Sequence, residues 1–204
     1  ESMADIEHHM LHFLDNHDEQ RLASPEFAGT PEKGKPLMVV SATISSSPTM
    51  IYFGQEVGEP GNEDAGFGKR SRTSIFDYIG VPHHQRWMNG GKFDGGQLTP
   101  KEKDLRDFYA RLLNFTLTSD AMTGKFEEIQ SFNRRETENY EPGLYSYVRY
   151  TAKEKLIIAA NFSWVTSSTF QLKVPSEVLK KWMLKSGEYP LTDQLYGKKY
   201  TMRI

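Results

Sequence analysis

The sequence predicts an α/β region followed by an all-β region, divided at about residue 118 into 1–118 and 119–204. Three observations carry that expectation. Two apolar stretches, 10–16 and 48–54, each run into polar residues. A capped amphipathic helix opens at Thr99, and after Ser119 the hydrophobic pattern takes the period of a strand. A chain of 204 residues fits one large domain or two small ones and is long enough to bury a core.

The helix at Thr99 is the clearest element. Thr99-Pro100-Lys101-Glu102 supplies a capping hydroxyl, a proline at the first helical position and a glutamate three residues after the cap. Leu105, Phe108, Tyr109, Leu112, Leu113 and Thr116 then recur at helical spacing, with Lys103, Asp104, Arg106, Asp107 and Arg111 on the other face. Upstream, residues 10–16 read as a short buried strand and 48–54 as another, ending at Gly54. Between them, Leu37, Val40, Ser41 and Ile44 fit a helical stripe over 37–45, although Val39, Val40, Thr43 and Ile44 keep a strand open as the rival. Strand, helix, strand, long loop and helix in that order imply parallel strands covered by helices.

After Ser119, residues 126–131 read as a strand, and 144–151 alternate Leu144, Ser146, Val148 and Tyr150 with Tyr145, Tyr147 and Arg149. The continuous apolar run 156–161 has the pattern of a central strand, and Phe170, Leu172 and Val174 alternate with Gln171 and Lys173. Turn residues at 141–143, 153–155 and 167–168 separate them. Short strands punctuated in this way predict a small antiparallel sandwich.

Composition removes several classes of function. With 25 Lys+Arg against 27 Asp+Glu, the net charge of −2 lacks the basic surplus that nucleic acid or an anionic membrane requires. No 18-residue apolar run is present, so no membrane span is expected. The absence of cysteine excludes disulfides, thiolate nucleophiles and cysteine-ligated zinc, and leaves the compartment open. The start, Glu1-Ser2-Met3-Ala4-Asp5, lacks a secretory pattern and an initiator Met, so the chain reads as part of something longer.

Two strand ends hold the candidate chemistry. Phe13-Leu14-Asp15-Asn16-His17-Asp18 presents Asn16, His17 and Asp18 where a strand gives way to a loop, the position at which α/β folds keep their sites. The structural alternative is that Asp18 caps a following helix. Ile51-Tyr52-Phe53-Gly54-Gln55-Glu56 repeats the design and delivers Glu56. His8, His9 and His12 include an i, i+4 pair, but no acidic partner set joins them, so no metal site is expected. His83-His84 reads as surface. Trp87, Trp164 and Trp182 offer flat faces to sugar rings; Trp164 is expected in the core, and Trp87, in a loop, is the better sugar residue. The glycine-rich, charged stretch 58–72 reads as a solvated loop.

Taken together, the two strand-end motifs resemble the α-amylase clan of glycoside hydrolases, family thirteen. Residues 13–18 resemble the segment that closes the seventh strand of that family's (β/α)8 barrel, and 48–56 the segment through the eighth. The helix after Pro100 matches the last barrel helix in position, and the β-rich remainder resembles the C-terminal β-sandwich. The resemblance implies an incomplete barrel end followed by a sandwich, from an enzyme of carbohydrate metabolism acting on α-glucans such as starch and maltooligosaccharides. It implies that Asp18 is the third carboxylate, which stabilises the transition state, and that His17 hydrogen-bonds sugar hydroxyls. Asn16, Glu56 and Trp87 complete the expected substrate wall, and the resemblance implies that the stretch 58–72 forms a wall of the substrate cleft.

The nucleophile segment (Gly-x-Arg-x-Asp) and the Gly-Glu acid/base segment of that family are absent from these residues, and both are expected upstream of Glu1. Retaining hydrolysis needs those two carboxyl groups about 5–5.5 Å apart, so the fragment itself is expected to be inactive. About two of eight barrel strands cannot close a barrel, so self-association through the open edge, or partial mobility, is expected. No cofactor is expected; calcium in the parent stays open, because oxygen ligands are plentiful but no spaced Asp/Asn loop is present. Two rivals remain: a non-catalytic carbohydrate-binding or assembly module, and a transglycosidase or isomerase of the same family. Tyr52-Phe53 stands where the family often has two tyrosines.

Overall fold

A computed structural model describes residues 6–62, 72–73, 80–165 and 169–204. The chain divides into two units. Unit 1 comprises Glu1–Ala42 and Ser47–Ala110, and unit 2 comprises Thr43–Ser46 and Arg111–Ile204. Expectations that concern residues 63–71, including most of the charged part of the 58–72 loop, lie outside the described residues.

Unit 1 is built from helices and irregular chain. Helix α1 spans Pro31–Thr43, with Thr43 itself counted in unit 2, and starts six residues before the apolar stripe that predicted it. Pro31 suits the first turn because its missing N–H would have had no partner there, and the Thr30 hydroxyl accepts from Lys33 N. Helix α2 spans Pro82–Met88 and again begins with proline. Helix α3 spans Pro100–Thr118 and has the predicted capping box: Thr99 N donates to Glu102 Oε2 at 2.8 Å, and Glu102 N to Thr99 Oγ1 at 3.3 Å. The unit boundary falls within α3, after Ala110.

The two predicted parallel strands contract to one bridge. His12 N donates to the Pro48 carbonyl at 2.9 Å, Met50 N donates to the His12 carbonyl at 2.8 Å, and His12 and Thr49 are parallel partners. The direction of pairing is the expected one, but the ladder is missing. Nor is the first segment buried: Met10, Leu11 and Phe13 are exposed. A strand needs neighbours on both edges to saturate its backbone, and among the described residues neither segment has a second partner strand.

Unit 2 holds two antiparallel sheets. Strands β1 (Lys125–Glu128), β2 (Leu144–Tyr150) and β3 (Lys155–Asn161) form one sheet in the order β1-β2-β3, while β4 (Glu188–Thr192) pairs with β5 (Lys199–Arg203) in the other. Short helices α4 (Gln130–Glu136) and α5 (Ser176–Lys181) complete it. Val148 faces Ile157 in the β2–β3 register, and Tyr150 faces Lys155. The roles predicted for β2 and β3 are exchanged. The alternating segment is the central strand and is buried on nearly every residue, whereas the continuous apolar run is an edge strand of this sheet.

The buried polar side of β2 is affordable because its polar groups are bonded. Arg149, 3% exposed, donates to the carbonyls of Ile44, Ala121, Met122 and Gly124, and Tyr147 shares a 2.5 Å hydrogen bond with the Thr43 hydroxyl. Ile129, Val148, Tyr150, Val178 and Trp182 form the apolar core, with Ile157, Leu172, Val174, Leu184 and Met202 against it.

Two further expectations are corrected here. The segment 126–131 is split into the end of β1 and the start of α4. Residues 170–174 are not a strand, although Leu172 and Val174 point into the core as their alternation required. The fully buried Asn133 takes the place of a neighbouring strand: its amide donates to the Lys173 carbonyl and its oxygen accepts from Lys173 N, both at 2.9 Å. Trp164, expected in the core, is 45% exposed. The architecture is therefore mixed α/β with two antiparallel sheets.

Candidate functional site

The residues singled out at the two strand ends lie in unit 1, on either side of the His12–Thr49 bridge. After the first segment the chain turns sharply, because Asn16 Oδ1 accepts from both Asp18 N and Glu19 N at 2.8 Å. Asn16 therefore shapes the turn. Asp18 caps no helix; it is exposed, as is His17, and their side chains meet at 3.3 Å between Nε2 and Oδ2.

At the second segment Gly54 adopts a left-handed conformation with φ of 83°. A side chain there would lie 3.1 Å from Glu59 Cβ, 3.3 Å from His84 Cβ and 3.4 Å from Arg21 Nη2. Both the dihedral and the crowding call for glycine. The chain then makes one 3-10 turn over Gln55–Val57, burying Gln55, whose amide donates to the Tyr109 hydroxyl at 3.1 Å, and leaving Glu56 half-buried.

Arg21 joins the two ends, and the sequence reading missed it. Its side chain is fully buried. Its Nε lies 3.3 Å from Asp15 Oδ2, Nη2 donates to the Phe53 carbonyl at 2.7 Å and Nη1 donates to Thr73 Oγ1 at 3.0 Å. The guanidinium also lies over the rings of Tyr52 and Phe53, 4.8 Å and 5.5 Å from their centroids. Asp15 Oδ2 accepts from Leu22 N at 2.9 Å, so the turn carrying His17 and Asp18 is closed at both ends by one carboxylate.

Burial raises the Asp15 carboxyl above the ordinary aspartate value; Arg21 and the Leu22 N–H oppose the shift without cancelling it. Burial likewise raises Tyr52, with Arg21 opposing and the charges of Asp15 and Asp18 adding to the rise.

Trp87 sits on α2, half-buried, rather than in a loop. A series of ring contacts leads to it from Tyr52: Tyr52–Phe53 at 4.6 Å, Phe53–His84 at 5.1 Å and His84–Trp87 at 5.5 Å. Phe93 meets the Trp87 ring edge-on, and Arg106 lies 5.5 Å from its centroid. His83 and His84 are half-buried and engaged, not plain surface. Glu59, 1% exposed, accepts from His83 N at 2.9 Å and His84 N at 3.3 Å, meeting two orphan donors in the first turn of α2. His83 Nδ1 lies 2.9 Å from Glu102 Oε1 and 3.2 Å from the Val57 carbonyl; with two acceptors around it, this nitrogen carries the proton. Arg86 forks onto Glu102 as well, Nε donating to both oxygens at 3.1 Å.

Among the described residues, no group of three or more His, Asp or Glu is placed to hold a metal ion, and His8, His9 and His12 form no such group. No helix among them is long and apolar enough to cross a membrane.

No family model matches this sequence, and no curated protein matches it. Among solved structures, the chain is similar to the noncanonic maltogenic alpha-amylase AmyB from Thermotoga neapolitana, with a TM-score of 0.59 and 15% sequence identity. That match covers 95% of this chain but only 36% of the amylase chain, so this chain spans about a third of its length. At such identity the likeness concerns the fold, and the fold of this chain is distantly α-amylase-like.

Proposed function

We propose that this chain is the C-terminal part of an α-amylase-like glycoside hydrolase, comprising the end of the (β/α)8 barrel and a β-rich domain, and that it contributes a wall of the α-glucan site. The observation that carries this reading is the parallel bridge between His12 and Thr49, with Arg21 bonded on both sides of it. Side-by-side strand ends of this kind are where barrel enzymes gather their site residues. The exposure of Met10, Leu11 and Phe13 also fits a strand that expects a neighbour.

In this reading Asp18 stabilises positive charge developing on the sugar ring, and His17, 3.3 Å away, orients it and bonds a sugar hydroxyl. Asn16 fixes the turn that presents both. Glu56 and Trp87 line the same wall, Trp87 through its ring and Glu56 through hydrogen bonds. One carboxylate cannot both attack the anomeric carbon and protonate the leaving oxygen, so this chain alone binds and does not cleave.

Titration of the chain with maltotriose, followed by amide NMR shifts, tests the proposal. Saturable shifts at residues 16–18 and 52–56 are expected, with Asp18→Ala and His17→Ala each weakening binding by about tenfold. Binding untouched by both substitutions but lost in Trp87→Ala would replace this reading with that of a non-catalytic carbohydrate module.

A further inference from the structure

One side of β3 carries backbone groups without a strand partner, and the register shows which they are. Thr151 N donates to the Glu154 carbonyl at 2.9 Å and Phe162 N to the Gly143 carbonyl at 2.8 Å, one bond at each end of the β2–β3 ladder. Bonded and unbonded pairs alternate along an antiparallel ladder, so Leu156, Ile158 and Ala160 bond to β2. The N–H and C=O groups of Lys155, Ile157 and Ala159 therefore point to the other side, where no strand among the described residues pairs with them. Ala159 is exposed, and no charge interrupts the run from Leu156 to Ala160. An edge left in this state is a template for another strand.

A groove of about 420 Å³ adjoins the first half of this edge, with Ile157, Leu184, Leu191 and Met202 as its apolar lining. That volume lies in the ordinary range of ligand sites. Strand β4 offers no equivalent ladder. The two bonds between Gly187 and Ile204, and the bond from Asp193 N to the Lys198 carbonyl, put Pro190 at an outward position, where it has no N–H to give.

Charge sets the direction of an incoming strand. Glu154 and Lys155 both line the groove and both keep their charge. The Glu154 carboxylate is fastened by the Ser119 hydroxyl and Ala121 N, so it disfavours an acidic side chain nearby. Lys155 Nζ donates to one neutral acceptor, the Ala152 carbonyl, and an ammonium has two further N–H donors. A cation at the start of β3 favours the C-terminal carboxylate of a strand running antiparallel, which is also the better-bonded direction.

We propose that β3 and this groove take an extended peptide by strand addition, antiparallel to β3, with its C-terminal carboxylate on Lys155. The last peptide residue pairs with Lys155 and the residue two places earlier pairs with Ile157. Both turn their side chains to the face on which Ile157 meets the core, so both are apolar, while the residue between them is unrestricted. The site uses residues of unit 2 alone and is independent of Asp18 and His17.

Titrating the full chain with acetyl-Thr-Leu-Ser-Leu, once as the free acid and once as the C-terminal amide, tests it by NMR. Saturable shifts are expected at the Ile157 and Ala159 amides, larger than at Ile158, whose N–H is already bonded to β2. The amide form is expected to bind about tenfold more weakly, and Lys155→Met to remove that difference. Ala159→Pro deletes an edge donor without touching the β2 ladder and is expected to weaken the acid peptide by about tenfold. Lys155→Met keeps the test alive even if Ala159→Pro fails to fold. Equal binding of acid and amide, or shifts as large at Ile158 as at Ile157, would overturn the proposal. So would sedimentation and hydrogen exchange showing that the chain without peptide self-associates and protects the same two amides, because the edge would then belong to a second copy.

Discussion

The two units are held together by different physics. Unit 2 rests on backbone ladders and an apolar core centred on Ile129, Val148 and Trp182. Unit 1 has one isolated bridge among its described residues, and beside buried apolar side chains such as Met38, Val57, Leu105 and Phe108 it uses buried carboxylates that capture backbone and cations: Asp15 with Arg21 and Leu22 N, Glu59 with the start of α2, and Glu102 with Arg86, His83 and Thr99 N. Each device has a different weakness. Ladders and cores fail gradually as side chains shrink, whereas a buried ion pair fails abruptly when one partner is lost.

The largest effect is therefore expected in unit 1. Arg21→Ala leaves Asp15 buried beside no cation and frees the Phe53 carbonyl, and is expected to cost about 3–5 kcal/mol. Hydrogen exchange should show protection lost around residues 12–24 and 50–58 and retained in β2 and β3. Loss of protection in both units to the same degree would break the distinction. Ile129→Ala is the matching test in unit 2, expected to cost about 2–4 kcal/mol through the cavity left behind, read from denaturant midpoints and from exchange in β2.

Glu102→Gln is expected to have a smaller effect, about 1.5–3 kcal/mol, because it weakens charged hydrogen bonds while keeping the shape of the side chain. Here pH sharpens the comparison. Burial alone would raise the Glu102 carboxyl, but hydrogen bonds from Arg86 and Thr99 outweigh burial and hold it below the ordinary glutamate value. Its contribution is thus fully present above the unfolded glutamate value and lost as pH falls through the folded one. Asp15 has the opposite sign: with its carboxyl raised, the fold loses stability as pH rises through the interval between its unfolded and folded values. A stability profile of Glu102→Gln should show a shallower loss in acid than the wild type, with Glu127, also held low, supplying part of the remainder. An unchanged acid limb would show that Glu102 is not its source.

The same division decides how much of the molecule could be read from its residues. The helix at Pro100 was legible because Thr99 and Glu102 carry their signals within four positions. The alternation of β2 and the apolar run of β3 were legible as strands, but not which of them was central. That depends on whether polar side chains such as Arg149 and Tyr147 find buried partners, in this case carbonyls at Ile44 and Ala121 and the hydroxyl of Thr43. In unit 1 the motif at residues 13–18 drew notice to Asn16, His17 and Asp18. The residue binding both strand ends, Arg21, gave no pattern, because its partners at the second strand end and at Thr73 lie 32 and 52 positions away, and the nearby Asp15 reads as an acid only once its burial is known. Pairings at that range leave no periodic trace.

Asn133 gives the β-rich unit an unusual freedom. One amide grips the backbone at Lys173 from both sides, so the run that follows Phe170 is clipped in place rather than threaded into a ladder. A strand in a ladder transmits any added residue as a slip that turns its whole inner row outward. A clipped run does not, because its position is set at a single point. Leu172 and Val174 therefore keep their places against the apolar core whatever the register of the neighbouring strands.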